Sequence, residues 1–236
     1  DVGARTLAWT KFFNAGQTCV APNVCWVHES QVERFTQCLV ETVHKFYGPA
    51  PRSSRDYARI VNRRHVRRLR DLLARSGGTI MTGGTIVEPE RYVPPTVVRV
   101  ENRRSPLLAG EIFGPILPVI SYKRLSAALA SIREAPDPLV VYLFSVDSTV
   151  QDTVRHQTVS GNYAINAGLE IVATTTLPFG GVGTGGMGRY HGRFGFEAFS
   201  YRRAELRKGL HPELKLRYPP YRAPFGLMKR ILRWAT

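Results

Sequence analysis

Val32, Phe35, Leu39, Val43 and Phe46 recur three and four residues apart, which predicts an amphipathic helix. Ser30-Gln31-Val32-Glu33 reads as its capping box, the serine oxygen and the glutamate satisfying reciprocal backbone donors, and Gly48-Pro49 ends the run. Val66, Leu69 and Leu73 mark one face of a second helix over Tyr57 to Arg75, closed by Gly77-Gly78. Thr79-Ile80-Met81, Thr96 to Val100 and Leu117 to Tyr122 read as strands, the last followed by an alanine-rich helix from Leu125 to Glu134. Leu139 to Phe144 is continuously apolar, as expected of a strand buried on both faces of a parallel sheet. Ser148-x-x-Gln151 predicts the cap of a further helix that reaches about His156. Strands alternate with helices, so the fold class is α/β, a mostly parallel sheet with flanking helices. No internal repeat is present.

The chain of 236 residues is long enough for one large domain or two small ones, and 43% hydrophobic residues suffice for a core. A net charge of +15 narrows the partners, because strong basicity attracts nucleic acid or an anionic membrane surface. Arg63, Arg64, Arg67, Arg68 and Arg70 form a basic helix face, whose commoner role is solvation. Neither aromatic interleaving, zinc spacing nor an RNP-like strand accompanies it, so no nucleic-acid partner is expected. Cys19, Cys25 and Cys38 are odd in number and include no CxxC pair, which argues against a disulfide framework or a metal site and for a reducing compartment. No apolar run is long enough to span a bilayer and no signal-peptide pattern opens the chain. The expected location is cytoplasmic, with peripheral contact to membranes through the tail.

Cys19 lies in Phe13-Asn14-Ala15-Gly16-Gln17-Thr18-Cys19-Val20-Ala21-Pro22, among small residues and shortly after a glycine that permits close backbone approach. Such a segment can present a thiol to a small ligand, provided its surroundings supply positive dipoles or a base. The commoner role of an intracellular cysteine is a small buried hydrophobe. Gly183-Thr184-Gly185-Gly186-Met187-Gly188 fits G-x-G-x-x-G, but a dinucleotide fingerprint needs a strand before it and a helix after it. Arg189 to Phe196 contains Gly192 and Gly195 and no helical apolar stripe, so that reading is rejected.

Three ordered stretches carry a family resemblance. Phe12 or Phe13 through Ala21 resembles the active-site motif Phe-x-x-x-Gly-Gln-x-Cys-x-Ala of the aldehyde dehydrogenases. Glu111-Ile112-Phe113-Gly114-Pro115 resembles their cofactor-contacting block. Pro178 to Gly183, with Gly186-Met187-Gly188 and Tyr190-His191-Gly192, resembles the C-terminal signature of the class 3 branch, with Gly185 where a serine is usual. The resemblance extends to about Arg203. It implies a catalytic domain over residues 1–195, NAD or NADP as cofactor, and Cys19 as the nucleophile that forms a thiohemiacetal and then a thioester with an aliphatic or aromatic aldehyde. The Cys19 backbone N–H becomes one oxyanion donor. Glu111 is the residue that would hydrogen-bond cofactor ribose hydroxyls, and Phe113 the ring packed near the nicotinamide ribose; without the resemblance Glu111 reads equally as a surface carboxylate at a turn. Thr174, Tyr190 and His191 match the substrate funnel, with Thr175 and Thr176 beside them; Tyr190 and His191 read equally as a structural pair. The nucleotide-binding half, the second oxyanion donor and the general base of the family precede its cysteine and are absent from this chain. An alternative is therefore a truncated, catalytically incompetent product that retains the oligomerisation surface.

Residues 196–236 change character. Basic residues far outnumber Glu197, Glu205 and Glu213, and Pro219-Pro220 and Pro224 interrupt any long helix. The resemblance implies a bridging strand over Phe196 to Arg203 and a homodimer, or pairing with a full-length subunit. Phe225 to Ala235 forms an amphipathic pattern with Lys229, Arg230 and Arg233 on one arc, so 225–236 suits an anionic membrane surface or a partner subunit.

Overall fold

The computed structural model describes residues 2–211, 213, 218–220 and 224–235. Two compact units divide the chain, 1–199 and 200–236.

The first unit is built on a four-stranded sheet. Its strands are β1 (Cys25–His28), β2 (Thr79–Thr82), β3 (Thr96–Arg99) and β4 (Ile116–Tyr122), in the order β1-β4-β3-β2. β4 lies parallel to both β1 and β3, and only β2 runs antiparallel. The central strands are buried on both faces, as parallel strands under helices must be: Val97, Val98, Ile116, Leu117 and Val119 are inaccessible. One face packs against α1 (Val2–Phe12) and α2 (Val32–Tyr47) through Leu7, Phe12, Leu39, Val43, Val97 and Leu117. The other packs against α3 (Arg63–Ala74) through Val66, Leu69, Val98, Ile112 and Ile116. A second, two-stranded parallel sheet pairs β5 (Val140–Leu143) with β6 (Asn162–Ile165), after α4 (Leu125–Glu134) and around α5 (Ser148–Gln157). Mixed α/β architecture with a mainly parallel sheet is thus as the strand and helix alternation implies.

Several local expectations differ. Helix α3 begins at Arg63 rather than Tyr57, because Asn62 caps it by accepting from the His65 N–H at 3.0 Å. Tyr57 is instead buried, its hydroxyl donating to the Val93 carbonyl at 2.8 Å. The Ser30 capping box does not form: Ser30 Oγ lies 2.8 Å from His28 Nδ1, and Gln31 precedes α2 without a side-chain cap. Asp147, not Ser148, caps α5, accepting from the N–H groups of Thr149 and Val150 at 2.8 and 3.2 Å. β5 is half-buried throughout rather than buried on both faces, since its sheet has only two strands.

Helix α1 went unpredicted because its exposed face carries Val2 and Trp9 beside Arg5, while Thr10 and Lys11 are buried with Ala4, Leu7, Ala8 and Phe12, so polarity does not follow exposure and no stripe shows. After the short helix α6 (Glu170–Ala173), the glycine-rich segment forms a loop with one 3-10 turn at Gly183–Gly185 and no preceding strand. A short helix α7 (Gly192–Ala198) follows where none was expected, supported by an Arg193–Glu197 pair at 2.7 Å one turn apart. In the single chain, Phe196 to Arg203 holds the end of α7 and irregular backbone. A strand needs a second strand to take its hydrogen bonds, and none pairs with it among the described residues.

The second unit contains α8 (Phe225–Ala235). Lys229, Arg230 and Arg233 are exposed on it, as are Phe225 and Leu227. No helix among the described residues is long and apolar enough to cross a membrane.

Candidate active site

Just after α1 and Phe13 come three consecutive left-handed residues, Asn14 (φ 50°), Ala15 (φ 52°) and Gly16 (φ 69°). Two of them are not glycine, and such conformations persist only where the surroundings over-determine them. Gln17 supplies that constraint. Its Nε2 donates to the carbonyls of Asn14 and Arg59 at 3.0 and 3.1 Å, and its Oε1 accepts from the Val61 N–H at 2.9 Å. At Gly16 a Cβ would stand 2.3 Å from the Gly114 carbonyl oxygen, so the cysteine loop and the Glu111–Pro115 block meet backbone to backbone.

Cys19 follows in a turn closed by the Ala21 N–H on the Thr18 carbonyl at 3.1 Å. Its side chain is exposed, whereas Cys25 and Cys38 are partly buried. Burial pushes the Cys25 thiol up to about 12, which keeps it protonated and unreactive. Among the described residues no backbone carbonyl takes the Cys19 N–H. The next residue anchors the turn twice. Val20 is buried against Leu169 and Phe179, and its carbonyl accepts the Tyr142 hydroxyl at 2.9 Å from β5. Burial, together with the Cys19 and Glu170 charges, holds the Tyr142 phenol well above its ordinary range, so it remains a donor.

The Glu111 block is held from several sides. Asn23 donates from Nδ2 to the Gly110 carbonyl at 2.9 Å and accepts the Ile112 N–H at 2.8 Å, clasping the backbone on both sides of Glu111. Arg68 of α3 donates to the Ile112 carbonyl at 2.6 Å. Phe113 is left-handed (φ 45°) and its residue is 43% exposed, an aromatic ring turned toward solvent from an otherwise buried Ile112-x-Gly114 turn. The Glu111 side chain is also exposed.

Tyr190 and His191 lie together. Phe179 and Tyr190 form a backbone bridge with N–H to carbonyl distances of 3.1 and 2.9 Å, the Tyr190 and His191 rings are 4.2 Å apart, and His191 Nδ1 is 3.2 Å from the Leu177 carbonyl. Thr174 ends α6 with its hydroxyl on the Glu170 carbonyl at 2.7 Å, and the loop it begins returns to Gly192, where a Cβ would lie 3.3 Å from the Thr175 carbonyl. Phe179 joins this group to Val20 and hence to the cysteine turn. Among the described residues no cluster of three or more metal-ligating side chains occurs.

Local sequence pattern gives no role to Asn23, Tyr142, Lys11 or Gln17 and puts Arg68 on a solvated basic face. Asn23 and Tyr142 act over 87 and 122 residues of chain, which no local pattern records.

A mainly parallel α/β scaffold thus presents exposed Cys19 between the Glu111–Pro115 turn and the glycine-rich loop. The chain belongs to the aldehyde dehydrogenase family, whose profile matches residues 1–204. It is 40% identical over 98% of its length to 4,4'-diaponeurosporen-aldehyde dehydrogenase of Staphylococcus aureus (strain NCTC 8325 / PS 47), covering 50% of that protein. It is 42% identical over 92% of its length to human aldehyde dehydrogenase family 3 member B1, covering 46% of it. The chain therefore spans about half the length of the curated relatives it matches. The solved structure of S. aureus AldH in a substrate-bound state superposes with a TM-score of 0.92 at 40% identity, over 98% of this chain and 50% of that one.

Proposed function

We propose that this chain supplies the catalytic portion, residues 1–195, of an NAD- or NADP-dependent dehydrogenase that oxidises aliphatic or aromatic aldehydes to carboxylic acids. The observation that carries this is the exposed Cys19 at the point where the Gln17 staple, the Gly114 backbone and the Tyr142–Val20 hydrogen bond converge. In this reading the Cys19 sulfur attacks the aldehyde carbon, forming a C–S bond while the carbonyl electron pair moves to oxygen. The uncommitted Cys19 N–H stabilises that developing charge. The bound cofactor supplies the hydride acceptor. The thioester then left on Cys19 is released by water as the acid, restoring the thiol. An exposed carboxylate beside an exposed, left-handed aromatic fits a ribose and a planar ring, so Glu111 would hold the ribose hydroxyls and Phe113 would pack at the nicotinamide end. Thr174, Tyr190 and His191 would line the aldehyde entrance. In the complete protein Cys19→Ala should abolish aldehyde-dependent cofactor reduction; retained turnover sinks the assignment.

A second role, assembly, is favoured by exposed apolar side chains after α7: Phe199, Tyr201, Leu206 and Leu210 are each more than four-fifths exposed. They fit a second copy of the chain, in a homodimer or beside a longer subunit, and substituting all four by serine should yield monomers on sedimentation if so. Lys229, Arg230 and Arg233 on α8 fit an anionic membrane surface. Retention on phosphatidylserine vesicles should then disappear on deleting 225–236, and unchanged retention contradicts this role.

A further inference from the structure

Asn23 follows Cys19 on the same loop segment, and its side-chain amide reaches a part of the chain 87 residues away. Nδ2 donates to the Gly110 carbonyl at 2.9 Å and Oδ1 accepts the Ile112 N–H at 2.8 Å, so one amide spans the residue between them, Glu111. The turn depends on such side chains. Among the described residues no backbone-to-backbone hydrogen bond reaches 110–114, and the Ile112 carbonyl is taken by Arg68 of α3 at 2.6 Å. Both backbone groups of Ile112 are thus satisfied by side chains, one from the cysteine segment and one from α3. Ile112 is inaccessible, and a buried N–H left without a partner is costly, so the acceptor half of the clasp matters more. Gly110 is exposed, and water can replace the donor half there.

The cysteine segment meets the turn at a second point, because Gly16 is pressed against Gly114. Cys19 lies between the two contacts. Its own turn is held separately, by the Ala21 N–H on the Thr18 carbonyl and the Tyr142 hydroxyl on the Val20 carbonyl. Contacts on both sides of the nucleophile set where Glu111 and Phe113 stand relative to its sulfur. With one contact removed the turn can pivot about the other. A turn free to pivot must be ordered again when a ligand binds, and that cost is subtracted from affinity.

We propose that Asn23 is a positioning residue for the cofactor, its amide holding the Glu111–Phe113 turn in register with Cys19. This rests on the cofactor reading of Glu111 and Phe113 above. An asparagine kept only for folding would disturb every property of the site alike when removed. A positioning asparagine separates them: the cofactor binds more weakly while the Cys19 thiol reacts as before.

The test compares the complete protein as wild type, Asn23→Ala, Asn23→Asp and Glu111→Gln. It measures the dissociation constants for NAD and NADP by fluorescence titration, the iodoacetamide reaction rate at Cys19 without cofactor, and thermal unfolding. Asn23→Ala should bind the cofactor about tenfold more weakly, the scale of reordering two side chains, with Cys19 alkylated within about twofold of the wild-type rate. Asn23→Asp keeps the acceptor for Ile112 and loses the donor to Gly110, so its affinity should lie between, about threefold below wild type. Wild-type affinity in Asn23→Ala beside weakened binding in Glu111→Gln overturns the positioning role alone. Wild-type affinity in all three variants overturns the cofactor reading and this inference with it. Alkylation altered as much as cofactor affinity overturns the role in favour of a general structural one. Should Asn23→Ala fail to fold, Asn23→Asp decides, and wild-type affinity in it refutes the proposal.

Discussion

Replacing Gly16 by alanine probes the contact that joins the cysteine loop to the Glu111 block. The residue has φ 69°, and the added Cβ would lie 2.3 Å from the Gly114 carbonyl oxygen and 2.6 Å from its carbon. The left-handed backbone alone costs an L-residue about 1–2 kcal/mol. Relief of the overlap demands that one backbone move by about 1 Å within a close-packed interior, a further cost of roughly 1–3 kcal/mol. Gly114 cannot retreat freely, since a Cβ built on it would already lie 2.6 Å from Leu69, and Leu69 is fully buried. The total, about 2–5 kcal/mol, corresponds to a fall in melting temperature on the order of 5–20 °C for a unit of this size. Differential scanning calorimetry measures it, with Gly110→Ala as the control: Gly110 lies in the same block with nothing within 4 Å of its Cβ. The same displacement shifts Glu111 and Phe113 relative to Cys19, so the rate of iodoacetamide reaction at Cys19 should change in Gly16→Ala and not in Gly110→Ala. Equal melting temperatures and equal alkylation rates for the two variants would refute the backbone contact.

Two further outcomes follow from the buried polar groups. Tyr142→Phe deletes the donor to the Val20 carbonyl and should cost about 1–2 kcal/mol, with a changed alkylation rate at Cys19; a variant identical to wild type in both would separate Tyr142 from the nucleophile. Lys11 also makes stability depend on pH. Folded, it loses its proton near pH 7, and unfolded it keeps it until near its ordinary 10.5, so the unfolded state binds more protons between these values and stability rises with pH across that window. The gain, on the order of several kcal/mol at full amplitude, should appear as the difference between wild type and Lys11→Met, because the buried tyrosines and Cys25 titrate alike in both. Parallel stability profiles for the two proteins would contradict the burial of Lys11.

The helices α2, α3, α4 and α5 and the strands β2, β3 and β4 are legible in the chain because each is amphipathic or a short apolar run, and those periods are local properties. Cys19, Glu111 and Phe113 could likewise be singled out from the residues beside them. Helix α1 escaped because apolar Val2 and Trp9 face outward while Thr10 and Lys11 are buried, which erases the stripe, and Asn62 and Asp147 as caps escaped because Tyr57 and Ser148 offered competing starts. The strand expected over Phe196 to Arg203 is a different case: a strand exists only in a pair, and its partner is not written in the segment.

The sequence by itself determined the amphipathic helices and the short apolar strands, and it singled out Cys19, Glu111 and Phe113. The tertiary structure decided how they act together. Only folding brings the Gly16 and Gly114 backbones into contact, carries Tyr142 to the Val20 carbonyl across 122 residues, and buries Lys11 in the last turn of α1. Periodicity records which face of an element seeks the core. It does not record which distant group waits there, because hydrogen bonds and charges act through space, irrespective of separation along the chain.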